Sequence, residues 1–80
     1  MADQTSAEST MDRDELGEYL RELAEELEGE GDASVPVGNK TVTLHPDREV
    51  GCDVNVDERS PMVGSDSETI AIEMSWEPNE

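Results

Sequence analysis

Apolar residues in the first third of the chain recur at the spacing of an α-helix. They fall three or four residues apart from residue 16 to residue 27, and acidic residues fill most of the remaining arc. The apolar stripe consists of Leu16, Tyr19, Leu20, Leu23, Ala24 and Leu27. This pattern predicts an amphipathic helix that turns its leucines toward a core.

The ends of the helix are marked by residues that commonly cap helices. Asp12 followed by Glu15 is typical of a capping box, with Thr10 as an alternative cap. Gly29 and Gly31 follow the last leucine and favour the end of the helix, because glycine readily leaves helical geometry.

After the helix, apolar and polar residues alternate with a period of two. Two short alternating runs flank Gly38 and Asn39, which is a hairpin signal. Pairing across this turn places Val35 opposite Val42 and Ala33 opposite Leu44, so that one face of the hairpin is apolar. Pro36 lacks an amide proton, which favours an edge strand.

Two further alternating runs, 50–56 and 70–76, follow the break at His45-Pro46 and are separated by a loop at 57–67. The fold class predicted is α+β, one N-terminal amphipathic helix packed on a four-stranded antiparallel sheet in the order α-β-β-β-β. The predicted core contains Leu16, Leu20, Leu23, Leu27, Val42, Val54, Ile72 and Trp76. Residues 1–10 are predicted to be a disordered acidic tail, 11–77 a single domain and 78–80 a short tail.

The balance of charge indicates the conditions in which the chain folds. Twenty-two acidic residues face five basic ones, a net charge of −17, and Lys40 is the only lysine. Glu18, Glu22 and Glu26 stand four residues apart on the helix, which repels in dilute buffer and is tolerated when molar salt screens the charges. The patterned apolar residues argue against a disordered chain of the same composition. We therefore expect a protein of a salt-rich, halophilic cytoplasm.

The motifs together resemble a known family. An acidic helix leads into the hairpin Val37-Gly38-Asn39-Lys40-Thr41-Val42-Thr43-Leu44, and the chain closes on Ile70-Ala71-Ile72-Glu73-Met74-Ser75-Trp76. Over residues 12–77 the sequence is similar to the amphi-Trp domain, a small family common in haloarchaea. The loop at 57–67 is longer than the family usually carries. The resemblance implies the fold and the habitat, and it assigns no functional residues.

Chemical motifs are few, and each has a simpler structural interpretation. Asp53, Asn55 and Asp57 begin like a calcium loop, but Glu58 and Gly64 stand where such a loop needs glycine and glutamate. We interpret the three as one solvated strand face.

The chain has one cysteine, Cys52, and one histidine, His45. Cys52 is expected to be a buried small residue on the apolar side of its strand, because nothing in the sequence supplies the partners of a catalytic thiol. His45 is expected to be a surface turn residue. We therefore predict no catalytic site, no cofactor and no metal site.

The outer face of the predicted sheet remains as a candidate surface. Its small or polar residues are Thr41, Thr43, Asp53, Asn55, Thr69, Glu73 and Ser75. The leading hypothesis is a non-enzymatic interaction or regulatory module that docks a protein partner or a second copy through this face or through an edge strand. The alternative hypothesis is binding of a small molecule or metal ion by Asp53, Asn55, Asp57 or His45.

The composition also bears on nucleic-acid binding, on membrane insertion and on location. The five basic residues are dispersed, which argues against nucleic-acid binding. No apolar run approaches the roughly 20 residues that cross a bilayer, and the first ten residues do not read as a signal peptide. We expect a cytoplasmic protein that does not enter a membrane.

Overall fold

The computed structural model describes residues 3–78 and contains one helix followed by four strands. The elements are α1 (Arg13–Glu28), β1 (Ala33–Val37), β2 (Lys40–Leu44), β3 (Gly51–Arg59) and β4 (Ser67–Ser75). The α+β class and the order α-β-β-β-β are therefore confirmed. Residues 3–12 form neither helix nor strand, and residues 1, 2, 79 and 80 of the predicted tails lie outside the described residues. The disorder of the first tail and the single domain at 11–77 stay predictions.

The chain divides into two compact units. The first contains α1, β1 and β2 and runs to Pro46, and the second contains β3 and β4 within Asp47–Glu77. Each unit is built around one antiparallel strand pair.

The first turn of α1 differs from the predicted capping box. Asp12 is the N-cap residue, but its side chain makes no capping hydrogen bond. The backbone instead closes the first turn, since the Leu16 amide donates to the Asp12 carbonyl oxygen at 2.9 Å. Asp14 and Glu15 place negative charge beside the positive end of the helix dipole. At the other end the Gly29 amide donates to the Glu25 carbonyl oxygen at 3.1 Å, so the helix stops where predicted.

The hairpin of the first unit has the predicted register. Val35 pairs with Val42 and Ala33 with Leu44, and Gly38 and Asn39 form the turn. Gly38 has φ of 64°, whereas no non-glycine residue among those described has a positive φ. Positive φ at the first turn position only is the combination of a type II′ turn, whose twist matches that of the flanking strands.

The second unit is a longer hairpin than the alternation predicted. Nine residue pairs join β3 to β4, from Gly51↔Ser75 to Arg59↔Ser67. The connecting segment is therefore 60–66 instead of 57–67. Pairing such as Val54↔Ile72 on one face and Asn55↔Ala71 on the other confirms that apolar and polar residues separate to opposite faces.

The four strands pair two by two, so the predicted single four-stranded sheet is not formed within residues 3–78. Alternation shows which side chains share a face, but it does not show which strand lies beside which. Pro46 interrupts the connection between β2 and β3, and β2 pairs only with β1 among the described strands. The packing of α1 on one continuous sheet is likewise not seen; within its own unit the helix contacts β1.

The predicted core is only partly enclosed. Leu23, Leu27, Val42 and Trp76 are half-buried, and Ala33 is the one fully buried apolar residue among those described. Leu16, Leu20, Val54 and Ile72 have exposed fractions of 46%, 47%, 61% and 53%, so their place in a core stays a prediction. In the second unit the β3–β4 pair is one layer thick, so its apolar side chains have no second layer within that unit.

Candidate interaction surface

Two side-chain hydrogen bonds join α1 to β1. The Tyr19 hydroxyl donates to the Pro36 carbonyl oxygen at 2.8 Å, and the Ser34 amide donates to Glu26 Oε1 at 2.7 Å. Tyr19 and Glu26 are seven residues apart and therefore lie on one side of the helix, two turns from each other. With these two bonds, β1 runs antiparallel to α1. The sequence pattern marks Glu26 only as one of three repelling acids and gives no sign of this structural role.

An imidazole–carboxylate pair flanks the open end of the β1–β2 hairpin. His45 Nδ1 lies 2.8 Å from Asp32 Oδ1, and the two residues stand one position beyond the last strand pair, Ala33↔Leu44. The His45 side chain is 37% exposed and that of Asp32 61% exposed. His45 thus lies at the surface as predicted, and this contact gives it a structural partner across the hairpin.

The seven residues of the predicted interaction face are divided between the two units. Thr41 and Thr43 are on β2, whereas five lie on one polar face of the β3–β4 pair: Asp53, Asn55, Thr69, Glu73 and Ser75. On that face Asp53 stands directly opposite Glu73, a like-charged pair that weakens a sheet in dilute buffer.

The opposite face of the second unit is apolar and open to solvent. We call it the β3–β4 apolar face; its members form three cross-strand pairs, Cys52↔Met74, Val54↔Ile72 and Val56↔Ile70. Val56 is 63% exposed and Ile70 71% exposed. The expectation of a buried Cys52 is wrong, because its thiol shares this uncovered face and is exposed.

The outer edges of β3 and β4 are also free of strand neighbours in the part of the chain that the structure describes, since each strand pairs only with the other. Each edge is nine residues long. β4 has neither proline nor lysine along its length, two residues that commonly protect an edge from pairing. An unprotected edge of this length is a template for another strand.

Three of the four residues considered for ion binding lie along β3. Asp53, Asn55 and Asp57 alternate along β3 and so follow one face at intervals of about 7 Å. Within residues 3–78 no three His, Cys, Asp or Glu side chains gather into a group that could hold a metal. The helix of the described chain is not both long enough and apolar enough to cross a membrane.

The surface grooves are shallow and open. In the first unit a groove of about 430 Å³ lies among Met11, Tyr19, Pro36 and Gly38. In the second unit a polar groove of about 360 Å³ surrounds the ends of β3 and β4 near Arg59 and Ser67. Neither groove brings together side chains in an arrangement typical of catalysis.

One helix followed by two β-hairpins makes this chain a small acidic α+β domain. The amphi-Trp domain family model matches residues 1–80, so the chain belongs to the amphi-Trp domain family. This confirms the resemblance found in the sequence. Comparisons with curated proteins and with solved structures returned no match.

Proposed function

We propose that this amphi-Trp domain is a non-enzymatic protein-interaction module of a halophile cytoplasm and that it docks its partner through the β3–β4 pair. One observation carries the proposal: among residues 3–78 the nine-residue β3–β4 pair has no strand neighbour at either outer edge, and the side chains of its apolar face are exposed. A partner strand would gain backbone hydrogen bonds from the edge and would extend the apolar face at the same time.

The charge of the chain supports docking by strand addition. With 22 acidic residues and five basic ones, the surface offers few cations for ion pairing. Molar salt also shortens the Debye length to about 3 Å and weakens surface ion pairs. Backbone pairing and apolar contact depend much less on salt, so they suit the proposed environment.

Affinity capture in molar KCl tests the proposal. The immobilised chain is expected to retain a stoichiometric protein from a halophile lysate, and Ala71→Lys is expected to weaken that retention because a lysine on β4 guards its edge. Thr41→Lys is the matched control, since Thr41 is also an exposed strand residue but belongs to the other unit. Equal retention by both variants, or no retained protein from a chain that is also monomeric, would contradict docking through β3–β4. A screen on generic esters and phosphates tests the non-enzymatic part, and saturable turnover would refute it.

A further inference from the structure

The free edge of β4 is better suited to pairing with another strand than the free edge of β3. β4 carries two acidic residues, Glu68 and Glu73, whereas β3 carries three, Asp53, Asp57 and Glu58. β4 also has neither proline nor lysine along its length. The strand that the β4 edge accepts depends on which acidic side chains the pairing would place opposite each other.

Antiparallel pairing of β4 with β4 of a second copy has one register that uses the whole strand. β4 runs from Ser67 to Ser75, so full overlap places the two-fold axis at its central residue, Ala71. Thr69 then stands opposite Glu73 of the other copy, and Ile70 opposite its Ile72. This register keeps apolar residues on one face and polar residues on the other, as the side-chain period of two requires.

No acid faces an acid in that register, because Glu68 falls opposite Met74 and Glu73 opposite Thr69. The equivalent full overlap of β3 with itself would set Asp53 against Asp57 twice. Head-to-tail pairing of β3 with β4 of another copy, in the register of the hairpin, would repeat Asp53↔Glu73 and Glu58↔Glu68. Because this pairing is head-to-tail, each added copy would offer the same edge again, which leads to filaments rather than a closed assembly. Of these three arrangements only β4 with β4 sets no acid directly opposite an acid, which favours it in a chain of net charge −17.

We infer that two copies of this chain associate by antiparallel pairing of β4 with β4 about a two-fold axis at Ala71, forming one four-stranded sheet in the order β3-β4-β4-β3. The inference rests on the proposed function and names its partner. A two-stranded sheet is marginal in water, and at least three strands with an apolar face are needed for stability. Pairing doubles the β3–β4 apolar face from six side chains to 12 and makes it continuous across the two-fold axis.

Disulfide trapping tests this arrangement in the full chain in molar KCl. Cys52→Ser removes the native thiol, and Ala71→Cys then places one thiol on the axis. Opposite residues of paired strands lie about 4.5–5.5 Å apart, within the Cα separations of a disulfide. Oxidation is expected to convert most of Ala71→Cys to a covalent dimer. Asn55→Cys is the matched control, because Asn55 is the partner of Ala71 on β3 and would lie three strand spacings, about 14 Å, from its counterpart.

A second pair of variants tests the register. Thr69→Cys alone is expected not to cross-link, since its counterpart would be displaced by four residues, about 13 Å. A mixture of Thr69→Cys and Glu73→Cys is expected to give the heterodimer. Circular dichroism confirms that each variant is folded, and light scattering of the wild type is expected to give twice the 8.8 kDa of one chain.

The outcomes separate this inference from the proposed function. Equal cross-linking of Ala71→Cys and Asn55→Cys, or a folded Ala71→Cys that does not cross-link, overturns the β4–β4 arrangement. If the wild type is then a monomer that still retains a lysate protein in a manner sensitive to Ala71→Lys, the docking function stands and only the second copy is wrong. A monomer that retains nothing refutes both.

Discussion

The hydrogen bond from Tyr19 to β1 gives a direct test of how the first unit is held together. Tyr19→Phe removes only the hydroxyl and leaves the ring, so the bond of 2.8 Å to the Pro36 carbonyl oxygen is lost without a change in packing. Such a bond contributes about 0.5–1.5 kcal/mol net. Because the contact is only partly buried, the carbonyl oxygen recovers water in the variant, and we expect a loss in the lower half of that range.

Glu26 provides an internal comparison on the same side of the helix. Glu26→Gln keeps a carbonyl oxygen that can accept from the Ser34 amide, and it removes repulsion with Glu22 four residues before it. Glu26→Ala removes both the acceptor and the charge. We therefore expect Gln to be neutral or slightly stabilising in dilute buffer and Ala to be less stable than Gln by about 0.5 kcal/mol, because the bond is exposed.

Urea denaturation followed by circular dichroism measures these differences. Urea is preferred because guanidinium is itself a salt and would screen the glutamates whose repulsion is being compared. A loss of 1 kcal/mol in a chain of 60–100 residues also lowers Tm by about 4–8 °C. If Tyr19→Phe has the midpoint of the wild type, or if Glu26→Ala is as stable as Glu26→Gln, then these contacts do not hold α1 on β1 and the description of the first unit is wrong.

Three further predictions concern the hairpin turn, the imidazole pair and salt. Gly38→Ala is expected to lower the free energy of unfolding by about 1–2 kcal/mol, because φ is 64° and the added Cβ would meet the Ala7 Cβ at 3.0 Å. The double variant with Ala7→Gly is expected to recover only the part of this loss that is due to the clash. Full recovery would refute backbone strain at Gly38. His45→Gln is expected to lower the free energy of unfolding by less than about 1 kcal/mol, since His45 and Asp32 are both solvent-exposed, and a larger loss in urea denaturation would contradict a surface pair. Tm is expected to rise between low and molar KCl as repulsion among the acidic residues is screened, and a Tm that is flat across this range would contradict folding adapted to salt.

The local structure of this chain could be predicted from the sequence because each element has a clear period. The leucine spacing gave the helix, and alternation around Gly38 gave a hairpin whose pairs, such as Val35↔Val42, are those of the structure. In β3 and β4 the same alternation assigned residues to the correct faces. The strands themselves are longer than predicted, because Glu58, Glu68 and their neighbours are polar on both faces and carry no alternation to read.

The arrangement of the strands could not be predicted in the same way. The period of apolar residues shows which face of a helix or strand is buried. It does not show which strand lies beside another, because that depends on the contacts of the two strand edges. Nothing in Val54 or Ile72 distinguishes a side chain enclosed by a second layer from one on an open face, and both were predicted to be buried. The same limit applies to the candidate surface: the sequence predicted a polar docking face, and the exposed apolar face became visible only with the strand pairing.

The charge of the chain narrows the ways in which two copies could meet. Ion pairing between identical chains needs cations on one surface to face anions on the other, and five basic residues among 22 acidic ones supply very few. Backbone hydrogen bonds and apolar contact need no such complement, but they require a strand whose acidic side chains avoid each other when it meets its own copy. β4 meets this condition about Ala71, because Glu68 and Glu73 are offset from the axis by three and two residues on opposite sides. Unequal offsets prevent either acid from meeting an acid of the second copy, so moving Glu73 to position 74 by the double substitution Glu73→Met and Met74→Glu should oppose Glu68 with an acid and dissociate the dimer in dilute buffer more than in molar KCl.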